Sequence, residues 1–260
     1  MKRSWKLAAS VVLMALSCAA SAKEWTTIRF GVDATYPPFE SVAKDGSVVG
    51  FDVDLGNALC AKLKAKCVWV QSSFDGLIPA LQARKFDVIL SSMAATAKRR
   101  EQIDFTDRLY RNQVRLVTAK GSSLLPDGAR LAGKKIAVEQ GTLQETYVRE
   151  KWAPLGVELT AYPNYDQAYA DLATGRVDGV LVDAVQAQLG FLDTPRGQGF
   201  AFAGGTVYDR KIMGDGDAAG VRKSDTDLRE ALNGAIAEML RDGTYKRIEA
   251  KYFDFDMYGQ

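Results

Sequence analysis

Histidine is absent from this 260-residue chain. That excludes Ser-His-Asp and Cys-His catalysis, and every metal site that needs an imidazole ligand. An excess of one charge is lacking too. Thirty-four basic side chains face 32 acidic ones, net +2, too even a balance for the basic field of a nucleic-acid-binding protein. Proline numbers only 7, and no Pro- or Ser-rich stretch reads as a tether between domains. What is present, 47% hydrophobic and 25% charged residues, is the composition of a folded soluble protein of one large domain or two moderate ones.

The chain begins with Lys2, Arg3 and Lys6, an apolar run from Leu7 to Leu16, and Ala20-Ser21-Ala22. The run is shorter than the roughly 20 residues a membrane span requires. A basic start, a short apolar stretch and an A-x-A end read as a secretory signal peptide over residues 1–22, cleaved after Ala22. Cys18 would leave with it; Ala15 stands where a lipoprotein signal wants a larger apolar residue. The mature chain keeps Cys60 and Cys67, with six residues between them. In an oxidising compartment so close a pair is expected to form a disulfide, joining the end of a helix to the start of the next strand. No third ligand stands near them for a metal.

Strand and helix patterns alternate along the mature chain. Thr27 to Val32 reads as a strand ending at Asp33, and Leu55, Leu59 and Leu63 mark one face of a helix that begins near Asp54. A strand at Cys67–Val70, a helix around Leu77–Leu81 and a buried strand at Phe86–Leu90 follow. The pattern then returns. Strands are expected at Val114–Val117, Lys135–Val138, Val157–Thr160 and Val177–Val182, and helices at Thr142–Trp152, Tyr165–Thr174 and Ala184–Leu192. Two more helices close the chain, Leu228–Arg241 and Tyr245–Tyr252. Such alternation means parallel α/β sheets, and its repetition means two lobes. Extended joins around Arg111–Ala119 and Thr206–Ala219 would act as a hinge.

Ligands of open parallel sheets bind at the carboxyl ends of the strands. Four such ends here are polar or aromatic: Asp33 with Tyr36; Ser91-Ser92 followed by Thr96 and Arg99; Gln140-Gly141-Thr142; and Asp183. Arg99 can pair bidentately with a carboxylate, and the helix N-termini after Leu90 and Gly141 favour an anion. Asp183 suits an ammonium group. Those are the two poles of an α-amino acid. Asp33 supplies a second acid, and Tyr36 and Phe74 supply ring faces for a cationic side chain. The absence of histidine and of an evident carboxylate pair points away from an enzyme.

Longer motifs carry a resemblance. Gly50-Phe51-Asp52-Val53-Asp54-Leu55-Gly56-Asn57-Ala58-Leu59-Cys60, Phe74-Asp75-Gly76-Leu77-Ile78-Pro79-Ala80-Leu81, Ser91-Ser92-Met93, Thr96-Ala97-Lys98-Arg99, Gly141-Thr142-Leu143-Gln144-Glu145 and Lys251 to Gly259 resemble the periplasmic solute-binding proteins for polar amino acids. Within that family they are similar to the lysine/arginine/ornithine- and histidine-binding group. The resemblance implies a type II periplasmic binding protein fold: two lobes, each a mainly parallel sheet flanked by helices, hinged by two crossing strands. Residues 23–111 with 212–260 would form one lobe and 112–211 the other. It also implies a monomer without cofactor that captures a cationic L-amino acid in the periplasm by hinge closure and delivers it to an inner-membrane ABC permease. A sensory module of the same fold, or a binder of histidine or of a larger arginine derivative, is the alternative.

By the same resemblance, Arg99 would hold the ligand's α-carboxylate with backbone N–H groups at Ala94 and Leu143, beside Thr142. Asp183 and Ser92 would receive the α-ammonium. Asp33, with Ser91 and Gln144 nearby, would pair with the distal cation between the rings of Tyr36 and Phe74. Three positions depart from the family pattern. Ala94 replaces a serine and Leu143 a threonine, so two hydroxyls are missing. Glu139 replaces a leucine, and a second carboxylate near Asp33 would favour a guanidinium over neutral histidine.

Overall fold

The structure, a computed structural model, describes residues 25–259; the expected signal peptide and its cleavage point lie outside them. Strand β1 (Thr27–Val32) leads into a small antiparallel sheet of β2 (Thr35–Tyr36), β3 (Glu40–Val42) and β4 (Val48–Val49). Helix α1 (Phe51–Lys62), β5 (Lys66–Gln71), α2 (Leu77–Gln82), β6 (Val88–Ile89), α3 (Ala97–Arg100) and β7 (Asp104–Tyr110) follow. The chain then crosses into β8 (Val114–Ala119), β9 (Lys135–Glu139), α4 (Leu143–Tyr147), β10 (Glu158–Tyr162) and α5 (Tyr165–Ala173). Strand β11 (Gly179–Asp183), α6 (Ala184–Ala187) and β12 (Phe200–Val207) complete that half. It returns through α7 (Arg210–Met213) to β13 (Asp217–Val221) and finishes with α8 (Thr226–Arg241) and α9 (Thr244–Glu249).

Two five-stranded sheets result, ordered β5-β1-β6-β13-β7 and β10-β9-β11-β8-β12. In each, three neighbouring strands run parallel and the fourth is antiparallel. The antiparallel strands are β8 and β13, the two that follow the crossings, so they enter their sheets from the opposite end. This is the expected two-lobe α/β architecture with mixed rather than purely parallel sheets. The central strands are buried on both faces, which is why Val180-Leu181-Val182 and Ile136-Ala137-Val138 read as unbroken apolar runs.

Several expected boundaries shift. Helix α1 starts at Phe51, three residues before Asp54, because Phe51 and Asp52 are themselves buried against the sheet. The helix expected over Thr142–Trp152 is α4 followed by a π-type turn at Val148–Trp152, and α6 continues into another at Gln188–Leu192. The last helix ends at Glu249 rather than Tyr252. The return join is not extended throughout: Asp209 caps α7 by accepting the N–H groups of Lys211 and Ile212, so a helical turn interrupts it.

Aromatic side chains fill the first lobe's core. Phe39 stacks on Tyr110 at 5.3 Å, and Phe51 meets the edge of Phe253 at 5.0 Å. In the second lobe Tyr169 and Phe191 stack at 4.0 Å. Tyr36 and Tyr165, 5.6 Å apart, connect the two cores across the cleft. The Cys60–Cys67 disulfide is formed and ties α1 to β5. Replacing both cysteines by serine should lower the urea midpoint by the equivalent of about 2 kcal/mol, since this loop is shorter than the 15 residues for which ~3 is expected. An unchanged midpoint would show that the bridge adds nothing to stability.

Candidate ligand-binding site

Four strand ends converge on one cleft: Asp33 follows β1, Ser91 and Ser92 follow β6, Glu139 ends β9 and Asp183 ends β11. The pocket there is lined by every expected site residue except Ala94. Ala94 faces an adjoining cleft with Leu143 and Asp183. Glu40, which the sequence reading missed, also lines the cavity. It follows the Pro37-Pro38-Phe39 loop on short strand β3, and no strand-end rule marks such a position.

The turn after β6 is built for polar contact. Ser92 has φ +43°, a strained conformation for a residue with a side chain, and its N–H donates to Asp52 Oδ2 at 2.7 Å. Tyr110 Oη donates its only hydrogen to Asp52 Oδ1 at 2.6 Å and lies 3.0 Å from Ser92 Oγ. The hydrogen in the latter contact must therefore come from Ser92, which leaves the serine oxygen as an acceptor. Ser91 Oγ receives the Asp33 N–H at 2.9 Å and donates to Glu40 Oε1 at 3.0 Å.

Arg99 lies on α3 and is buried. Its Nη1 donates to Ala94 O at 2.9 Å and its Nη2 to Gly141 O at 3.1 Å, with the guanidinium over the Phe74 ring at 5.2 Å. Phe74 therefore faces the protein's own cation. Gly141 is obligatory: its φ is +80°, and an added Cβ would lie 2.9 Å from Asp75 Cα of the opposite lobe. The helix expected directly after Leu90 is only the four-residue α3, beginning at Ala97 behind its Thr96 cap, so little dipole faces the strand end. Thr142 caps α4: its Oγ1 accepts the Glu145 N–H at 3.1 Å and donates to Glu139 O at 2.6 Å.

Asp183 receives Tyr36 Oη at 2.8 Å and Gln144 Nε2 at 2.7 Å, one on each oxygen. Tyr36 thus bonds across the cleft, and Gln144 orients Asp183 in the pocket that Asp33 also lines. Asp33 accepts Thr35 Oγ1 at 2.7 Å and the Phe74 N–H at 2.8 Å. Glu139 is 3% exposed, and among the described residues no donor reaches its carboxylate.

Acids outnumber bases in this cleft. Burial pushes Asp183 up to about 6, against the opposing hydrogen bond of Tyr36 and the charge of Arg99. Glu139 is held well above the usual carboxylate range by burial and by Asp33, Asp183 and Asp75. Burial also raises Asp33, and burial with the neighbouring Asp52 raises Glu40 strongly. Arg99 is lowered to about 10 by burial. The arrangement can hold one anionic group at Arg99 and positive groups elsewhere along the pocket.

Residues 28–255 match the family described as bacterial extracellular solute-binding proteins, family 3, and the chain belongs to that family. It is 48% identical over 261 residues to the lysine/arginine/ornithine-binding periplasmic protein of Escherichia coli (strain K12), covering 100% of each chain. It is 49% identical over 232 residues to the histidine-binding periplasmic protein of Salmonella typhimurium, 89% of each. The structure of an ancestral arginine-binding protein bound to arginine is similar with a TM-score of 0.82 and 35% identity, over 89% of this chain and 100% of that one. The fold is thereby the type II periplasmic binding protein fold.

Stability should carry the mark of the buried acids. A carboxyl whose folded value is raised contributes stability that is complete below its ordinary value, 3.8 for Asp183, and is lost as pH rises through about 6. No histidine titrates in this window. The unliganded protein should therefore resist urea less at pH 7.5 than at pH 5, by about 1–3 kcal/mol. Equal or greater stability at pH 7.5 would contradict the raised values.

Proposed function

We propose that this protein is the periplasmic binding component of an ABC transporter for basic amino acids, taking arginine and also lysine and ornithine. Residues 23–111 with 212–260 form one lobe and 112–211 the other. They close on the ligand as a monomer and present it to an inner-membrane permease. Binding, not chemical conversion, is the function. The observation that carries this reading is the imbalance of charge: one buried guanidinium among several buried acids, at the meeting of strand ends from both sheets.

In this reading Arg99 receives the α-carboxylate with its remaining N–H groups, and the backbone N–H groups of Ala94 and Leu143 assist. Asp183, held by Tyr36 and Gln144, takes the α-ammonium together with the acceptor lone pairs of Ser92. Asp33 and Glu139 take the distal cation. A guanidinium carries five donors and can satisfy both carboxylates, whereas neutral imidazole offers one. Desolvation between the lobes strengthens each pair, and the cation restores to the acids the charge balance that burial denies them.

Calorimetric titration with arginine, lysine, ornithine, histidine and glutamine tests the reading. Arginine should bind most tightly, and Asp33→Asn should weaken it roughly 10- to 100-fold, the loss of one charge-assisted pair, without lowering the melting temperature. Histidine or glutamine binding far tighter than arginine would overturn the specificity. Unchanged arginine affinity in the variant would make Asp33 structural. Histidine is the ligand named for one 49% identical relative, so it is the informative competitor.

A further inference from the structure

Ala94 forms an isolated antiparallel bridge with Asp217, the first residue of β13. The flanking bonds, Ala95 N–H to Gly216 O at 2.9 Å and Ala218 N–H to Met93 O at 3.1 Å, make the two a non-hydrogen-bonded pair. In such pairs the side chains stand closest together. The Asp217 carboxylate thus stands beside the Ala94 methyl, where a serine at position 94 would place its hydroxyl. It is 4% exposed and lines the same cleft as Ala94, Leu143 and Asp183.

Asp217 has little to neutralise it. Asn112 Nδ2 donates to Oδ2 at 3.3 Å, and among the described residues no other donor reaches the carboxylate. Asn112 Oδ1 beside it is buried without any donor. Arg99 lies near enough to ease its charge, but two of the Arg99 donors already serve Ala94 O and Gly141 O. A carboxylate with one long hydrogen bond and an amide oxygen with none thus stand side by side in the adjoining cleft, which Asp183 lines together with the pocket.

We propose that Asp217 is a second acid for the ligand's α-ammonium, acting with Asp183 and replacing the hydroxyl that Ala94 lacks. This rests on the reading of the cleft as an amino-acid pocket. An ammonium has three donors, so Asp183, Ser92 and Asp217 can each receive one. The substitution of an acid for a hydroxyl also selects ligands whose α-amino group is charged, and it disfavours those in which that group is acylated or missing.

The test compares L-arginine with 5-guanidinopentanoate, which is arginine without its α-amino group, on the mature protein and on Asp217→Asn. Affinities too weak for direct heats are read by displacement of bound arginine. Asp217→Asn should weaken L-arginine roughly 10- to 100-fold and change 5-guanidinopentanoate by less than about twofold. Ala94→Ser in the same variant should recover part of the loss. Equal losses for both ligands would make Asp217 merely structural and overturn the proposal, as would no loss for either. If the unaltered protein bound neither ligand, the proposed function would fall, and this inference with it.

Discussion

Buried negative charge without enough positive charge is the constraint on which this structure turns. Asp33, Glu40, Glu139 and Asp183 line the pocket and Asp217 the adjoining cleft, all of them buried, and Arg99 is the buried base among them. An ionised carboxylate out of water costs several kcal/mol unless paired, so such a cluster is stable only with protons, hydrogen bonds or a cation. The same chain shows what a self-sufficient cluster looks like. Burial works against the charge of Asp87, yet Arg29 and Arg222 hold its carboxyl below the usual range, and Arg222 also pairs with Asp225. There acid and base are matched within the protein. At the cleft they are not, and the missing partner has the charge of a basic amino acid.

The fold makes this imbalance possible by dividing it between two sheets. One lobe contributes Asp33 at the end of β1, and the other contributes Glu139 and Asp183 at the ends of β9 and β11. Tyr36 reaching Asp183, Arg99 reaching Gly141 and Gln140 Nε2 reaching Asp75 at 3.0 Å hold the lobes in register across the cleft. The aromatic contact of Tyr36 with Tyr165 joins these polar contacts across the cleft. Gly141 permits the close approach, and strained Ser92 is held in place by the buried Asp52–Tyr110 pair behind it.

Much of this was legible in the chain itself. Apolar strands such as Gly179–Asp183 end abruptly in a polar residue, and that pattern alone led to Asp33, Ser91, Ser92 and Asp183. The contacts made by those residues were not legible. Gln144 orients Asp183 because α4 begins immediately after its Thr142 cap, a register fixed by three-dimensional packing. Phe74 faces Arg99 because the loops after β5 and β6 meet in space, about 25 positions apart in the chain. Glu40 and Asp217 lie on short strands paired with distant segments, where no local periodicity reveals burial. Strands β7 and β12, at the margins of their sheets, lack a clear pattern for a related reason: exposed Asp107 interrupts one, and exposed Gly204, Gly205 and Thr206 interrupt the other.

Proton release on ligand binding tests the account most directly. Arginine titrated at pH 6 in buffers of different ionisation enthalpy reads the number of protons exchanged. If the cleft's acids are raised by burial and wait for a cation, arrival of arginine lowers them and the protein gives up protons, so the apparent heat varies with buffer. A heat independent of buffer would mean that the acids are already charged without a partner, and the central claim would be contradicted.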